Sequence, residues 1–222
     1  MADAYGAVVH EHFLDFLPPG GRVLDVGCGE GSWASDLRAK GFSALVGIER
    51  DLVSAEAART RYDNVHCGSV EDATLADLGG KPFDLVIFGD VLEHLVDPWA
   101  ALRQARGWVR DGGSAAISVP NLRHVRVLQQ LVLHGEFAYE ERGIMDRTHL
   151  RWFTRRSLDR TLIESGWRPQ RWRGRVSPRL QPVNERFGRR FEPFFAAQNY
   201  VCAVKAMPPV TAAEEAPASS AP

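Results

Sequence analysis

The sequence predicts a doubly wound α/β fold on a mostly parallel sheet, and three observations predict it. Apolar runs of strand length alternate with segments of helical periodicity along most of the chain. The first run, Val23-Leu24-Asp25-Val26, feeds a glycine turn, Gly27-Cys28-Gly29-Glu30-Gly31-Ser32, that opens a helix. A second strand ends on an acid, Glu49, about 20 residues past the turn, where a nucleotide-binding α/β unit puts the carboxylate that holds ribose hydroxyls. A chain of 222 residues has room for one domain, expected over 1–207, with a seven-stranded sheet and helices on both faces. Ligands of such a sheet bind at the carboxyl ends of its strands.

The elements follow in order. Val8, Val9, Phe13, Phe16 and Leu17 give helical spacing over 4–17, stopped by Pro18-Pro19-Gly20-Gly21. Strand 1 is expected at 22–26. The next helix starts near Ser32 as N-cap and stops at Gly41. Strand 2 spans 44–48, and Asp51 caps a helix to about Arg61. A short strand is expected at 64–67. Phe83 to Phe88 is an apolar run typical of a central parallel strand. Asp97-Pro98 opens a helix with Pro in its first turn. Asp111-Gly112-Gly113 turns into a fifth strand, 114–119. A further helix starts near Arg155. The long segment between, about 121–154, reads as a helical lid, since a loop of that length is usually functional.

Composition is that of a globular chain, 45% hydrophobic and 25% charged, with no run approaching the roughly 18 apolar residues of a membrane span. No apolar leader is evident at the N-terminus. Three widely spaced cysteines without a C-x-x-C point to a reducing compartment, hence the cytoplasm, and against a zinc ribbon or disulfide framework. Residues 208–222, rich in Pro, Ala, Ser and Glu, read as a disordered tail. A net charge of −1 conceals an asymmetry: between Arg147 and Arg190 stand 13 arginines against Asp159, Glu164 and Glu185. That surface suits an anionic or phosphorylated small molecule, or nucleic acid. Equally, the chain uses arginine almost everywhere. No feature bears on oligomeric state.

The glycines run G-x-G-x-G, tighter than the G-x-G-x-x-G that seats a pyrophosphate. Asp25, two residues before Gly27, would repel a pyrophosphate and attract a cationic group. Asp25, Gly27, Gly29 and Gly31 with the downstream Glu49 resemble motif I of the class I S-adenosylmethionine-dependent methyltransferases. The resemblance covers about 5–205 and implies a Rossmann-like sheet ending in an antiparallel pair, for which 168–176 and 199–206 are the candidates. It implies S-adenosyl-L-methionine as cofactor, with Cys28 filling the loop as a small side chain and Glu49 and Arg50 at the ribose. His66-Cys67-Gly68-Ser69-Val70-Glu71-Asp72 matches the stretch that frames the adenine. There Ser69 replaces the usual Asp, Val70 packs on the ring, and Glu71 or Asp72 supplies the carboxylate. Gly89 and Asp90 would flank the methionine end.

Methyl transfer to oxygen needs an aligned acceptor and a home for its proton, supplied by a base or by a metal that lowers the acceptor's pKa. Asp90-Val91-Leu92-Glu93-His94 would gather three such groups if its turn is helical. A second cluster lies in Asp146 to Thr154, with His149. Together they resemble the metal site of small-RNA 3′-terminal 2′-O-methyltransferases, and a related motif occurs in ubiquinone-type O-methyltransferases. That resemblance implies Asp90, Glu93, His94 and His149 as ligands of Mg, Mn, Fe or Zn, with Asp90 one methylene shorter than the usual Glu. In metal-free relatives a similar motif serves cofactor contacts and helix start, with a histidine as orienter or base, so His94, His149 and Glu93 are the catalytic candidates; the remaining reading gives neither histidine a catalytic role. His124 and His134 read as lid surface. Tyr139 and Trp152 read as acceptor pocket or core. The lid entry Pro120 to His124 and the segment Gly143 to Thr154 resemble bacterial methyltransferases of glycan and natural-product assembly. The expected function is therefore O-methylation of a hydroxyl on a sugar, nucleotide-linked sugar or similar small molecule. The alternatives are a metal-dependent RNA 3′-terminal 2′-O-methyltransferase and a non-catalytic cofactor-binding module.

Overall fold

The computed structural model describes residues 13–206. Seven strands form one sheet: β1 (Gly21–Val26), β2 (Phe42–Glu49), β3 (Asn64–Cys67), β4 (Phe83–Gly89), β5 (Val109–Pro120), β6 (Trp167–Val176) and β7 (Ala196–Lys205). Their order is β3-β2-β1-β4-β5-β7-β6. β7 pairs antiparallel with both β5 and β6, and the other neighbours are parallel. The sheet is therefore the mostly parallel one expected, with the antiparallel pair at its edge.

Strand periodicity of two decides which residues feed which face. Leu85 and Ile87 join one core with α1 (Ala34–Ala39) and α2 (Leu52–Ala58). Val86 and Phe88 join the opposite core with α3 (Pro98–Trp108) and α5 (Arg155–Glu164). α3 buries Ala101, Leu102, Ala105 and Trp108, one stripe of a 3.6-residue period. Trp167 is buried against it and donates its indole N–H to the Leu102 carbonyl at 2.9 Å. Because both faces are covered, the central strands are apolar almost throughout.

Helix starts follow the local chemistry. Asp51 accepts from the Ser54 N–H at 2.9 Å, Asp97 from the Ala100 N–H at 2.9 Å, and Thr154 forms a capping box with Ser157. Asp97→Ala should cost about 1 kcal/mol, read as a fall in denaturation midpoint at unchanged slope.

The structure corrects several boundaries. Ser32 does not cap: α1 begins at Ala34 with Trp33 at its N-cap and no side-chain cap. The glycine turn continues through it, with Gly31 N–H on the Cys28 carbonyl and Ala34 N–H on the Gly31 carbonyl. α2 ends at Ala58, not near Arg61. Asp111-Gly112-Gly113 is no turn before a strand; it bulges within a longer β5, whose register on β4 jumps from Phe83↔Val109 to Leu85↔Ser114. The lid segment holds one helix, α4 (Val125–His134), stopped by Gly135 at φ 65°; the rest is irregular. Two short helices went unforeseen, α6 (Gln181–Arg186) and α7 (Glu192–Phe195), between β6 and β7. Of the helix expected over 4–17, residues before 13 lie outside the described residues, as does the tail at 208–222; Phe13, Phe16 and Leu17 are buried. No helix among the described residues is long and apolar enough to cross a membrane.

Candidate active site

The loop after β1 is built by backbone hydrogen bonds before any side chain matters. Gly27 and Cys28 N–H groups both donate to the Ile48 carbonyl, at 2.8 and 3.1 Å. Gly27, Gly29 and Gly31 sit at φ 71°, 54° and 77°, a sequence only glycine adopts without strain. Glu49, at the end of β2, accepts from the Gly29 N–H at 2.9 Å and from the Asp51 N–H at 2.8 Å. The carboxylate expected at the ribose thus also clamps the glycine loop to the start of α2.

Two cavities open at the carboxyl ends of the strands. The larger, about 620 Å³, is lined by Gly27, Glu49, Arg50, Ser69, Val70 and Glu71 on one side, and by Asp90, Val91, His94, Thr148 and Leu150 on the other. The smaller, about 350 Å³, is lined by Asp25, Gly27, Cys28, Gly29, Trp33 and Gly89. Gly27 borders both. All but one of the residues expected to hold the cofactor therefore line one or other cavity. The exception is Gly31, which borders neither and packs on Tyr62. Ser69 donates to the Glu71 carboxylate, fixing the two residues expected near the adenine.

Across the larger cavity the chain after β4 turns sharply. Asp90 adopts φ 56°, then Leu92–His94 form a 3₁₀ turn. Glu93 is buried with neither carboxylate oxygen hydrogen-bonded. Burial, then the nearby Asp90 charge, push its pKa well above the usual carboxylate range. The Glu93 carbonyl accepts from Leu150 and Arg151 N–H at 2.8 and 3.0 Å. Those two bonds carry His149, 56 residues downstream, to Glu93 and His94. One ligand atom from each of the three lies within 4.8 Å of the others.

The imidazoles are oriented for use. His149 Nδ1 lies 3.2 Å from the Ile144 carbonyl, and His94 Nδ1 lies 3.3 Å from the Thr148 carbonyl. A carbonyl only accepts, so the His149 Nδ1 donates and its neutral ring keeps a lone pair on Nε2, while the His94 Nδ1 is shared between the Thr148 carbonyl and the Thr148 hydroxyl at 3.4 Å. Burial also depresses the His149 pKa, which favours that neutral form. The rings meet edge-on with centroids 4.8 Å apart.

Asp90 departs from expectation. Ser118 Oγ donates to it at 2.6 Å and Gln198 Nε2 reaches both its oxygens at 2.8 Å. Its left-handed backbone turns the carboxylate toward β5 and β7, outside the Glu93–His94–His149 group. The 3₁₀ turn begins after it, so the expected helical gathering of all three does not occur. His124 caps α4 and His134 ends it. Tyr139 and Trp152 meet Phe137 edge-on and each other tilted on the lid segment, ring centroids 5.5–6.1 Å apart, with Tyr139 exposed.

Comparison with known proteins decides the family. A methyltransferase-domain family matches residues 2–170. The chain belongs to this methyltransferase family. It is 36% identical over 125 residues to a ubiquinone biosynthesis O-methyltransferase of Neisseria meningitidis, a match covering 53% of this chain and 51% of that protein. The match thus spans about half the length of that relative. An S-adenosylmethionine-dependent methyltransferase of Archaeoglobus fulgidus shares the fold, with TM-score 0.65, 19% identity and coverage of 90% and 94%. One from Mesorhizobium loti gives TM-score 0.61 at 17% identity, covering 87% and 96%. As a member of this methyltransferase family the chain carries an S-adenosylmethionine-dependent domain.

Proposed function

We propose that this methyltransferase transfers the methyl group of S-adenosylmethionine to a hydroxyl of a small, anionic or phosphorylated acceptor, such as a sugar, nucleotide-linked sugar or natural-product intermediate. One observation carries the choice of oxygen: a buried, unpartnered Glu93 carboxyl group beside the imidazoles of His94 and His149. An alcohol must lose a proton as it is methylated, and these groups can take it. A merely cofactor-binding module gives no reason to bury an orphaned carboxylate.

The bound cofactor would supply an electrophilic methyl on a cationic sulfur. Glu49, Ser69 and Val70 would hold its adenosine end, Gly27 would lie between the two cavities, and Asp25 with Gly29 would face its cationic amino-acid end. Thr148 and Leu150 would close the acceptor side. Glu93, His94 and His149 also fit a divalent ion of the Mg, Mn, Fe or Zn class, which would add Lewis acidity at the acceptor oxygen. The three cysteines are free, in keeping with a cytoplasmic enzyme.

The RNA-terminal reading draws support from the arginine-rich C-terminal third. Part of that charge already serves the fold: Arg171 stacks on Phe16 and Arg155 on Trp172. Labelled S-adenosylmethionine presented with small hydroxyl acceptors and short RNA separates the two. Label on a small hydroxyl at a rate little changed by salt is the expected result, and His149→Ala should abolish most of it. Label on RNA alone, falling steeply with salt, would replace the small-molecule reading.

A further inference from the structure

Tyr62 is a buried aromatic that neither the family's motifs nor the site above accounts for. It stands in the turn between α2 and β3, its N–H on the Ala58 carbonyl at 2.9 Å. Its hydroxyl donates to Asp25 Oδ2 at 2.6 Å, in an interior where Tyr62 is 5% exposed and Asp25 3%. The ring lies against two glycines. A Cβ on Gly31 would come within 2.9 Å of it, and one on Gly47 within 3.5 Å. The last glycine of the motif therefore makes room for this ring. The phenol thus reaches the Asp25 carboxylate, which borders the smaller cavity with Gly27, Gly29, Trp33 and Gly89.

We propose that Tyr62 is a positioning residue for the cofactor: its hydroxyl fixes the Asp25 carboxylate where the cationic methionine end of S-adenosylmethionine docks. The inference rests on the placement of that end over Asp25. The groups bearing on Asp25 are Tyr62 from the α2–β3 turn, Cys28 from the loop and Glu49 from β2, with Glu30 lining the same cavity. None is cationic, so the site is arranged to receive positive charge rather than to neutralise itself. Burial pushes the Asp25 carboxyl up to about 7, the Tyr62 hydrogen bond opposes that rise and the Glu49 charge adds to it. An Asp25 that protonates near neutrality loses its hold on a cation as pH falls. Removing the phenol hydroxyl raises the carboxyl further, so the acid limb of cofactor binding moves to higher pH.

The test is calorimetric titration of the full chain with adenosylhomocysteine, and with adenosine, from about pH 6 to 9, for the wild type, Tyr62→Phe and Asp25→Asn. Tyr62→Phe keeps the ring and its packing. Expected is a weakening for adenosylhomocysteine of about tenfold or more, the loss of one hydrogen bond to a charged group, with the acid limb shifted upward and adenosine affinity unchanged. Asp25→Asn should bind weakly with no acid limb. Equal weakening for adenosine, or an unshifted limb, would make Tyr62 a packing residue and overturn the inference. An acid limb that survives Asp25→Asn would do the same. Failure of the wild type to bind adenosylhomocysteine, with adenosine still bound, would overturn the placement of the methionine end beneath it.

Discussion

Glu93→Gln should lower turnover about 10²- to 10⁴-fold, the usual contribution of a positioned acid–base group, while adenosylhomocysteine affinity changes by no more than about twofold. The amide is nearly isosteric and can neither take a proton nor hold a cation. Mn²⁺ titrated into the adenosylhomocysteine-bound protein gives a second readout that needs no acceptor. Saturable binding lost in Glu93→Gln would place a metal on this carboxylate and its two histidines. Wild-type turnover without saturable binding would leave the proton to His94 or His149. The same residue should tax the fold. A buried carboxyl with no partner is costly, so Glu93→Met is expected to raise stability by about 1–3 kcal/mol while eliminating turnover. The pH sense is fixed by the direction of its shift. Its folded pKa lies well above that of an ordinary glutamate, so its stabilising contribution is greatest below the ordinary value and fades as pH rises through the folded one. Stability should fall less steeply with pH in Glu93→Met than in the wild type. Parallel curves would mean that Glu93 is ionised and satisfied.

What could be read from the chain was local. Asp51, Asp97 and Thr154 declare their helices because an N-cap bonds its own next turn. Strand β3 was legible to the residue, and the seven-stranded sheet followed from alternation together with the family resemblance. The helices α6 and α7 were not, since each is one turn or little more in an arginine-rich stretch with no apolar period.

The site divides along the same line. The glycine loop and Glu49 were legible because one βαβ unit supplies them. His149 reached the site through family resemblance, for no spacing rule brings a residue back over 56 positions; the Glu93 carbonyl does so. Asp90 lines the larger cavity but stands outside the Glu93–His94–His149 group, since its carboxylate is held by Ser118 and Gln198, 28 and 108 residues away and invisible to local spacing. Tyr62 left no local signal at all. Its sole trace is complementary smallness, at Gly31 and Gly47, which becomes meaningful once the fold brings the three together.

Gly29→Val should reduce adenosylhomocysteine affinity at least about 100-fold with the fold retained. Gly29 sits at φ 54°, where a β-branched residue is strained by about 1–2 kcal/mol, so the melting temperature should fall by only a few degrees. A Cβ built there meets no protein atom within 4 Å. The residue lines the smaller cavity, so the valine projects into ligand space instead of into the core. The Gly29 N–H that Glu49 accepts belongs to the same loop, and Glu49 is the carboxylate expected at the ribose. Gly29→Ala, with one methyl and the same φ, should retain an intermediate affinity. Circular dichroism melts beside calorimetry would separate the two effects. Unchanged affinity in Gly29→Val would remove the cofactor from this loop, and a collapse in melting temperature equal to the affinity loss would make the glycine a requirement of folding alone.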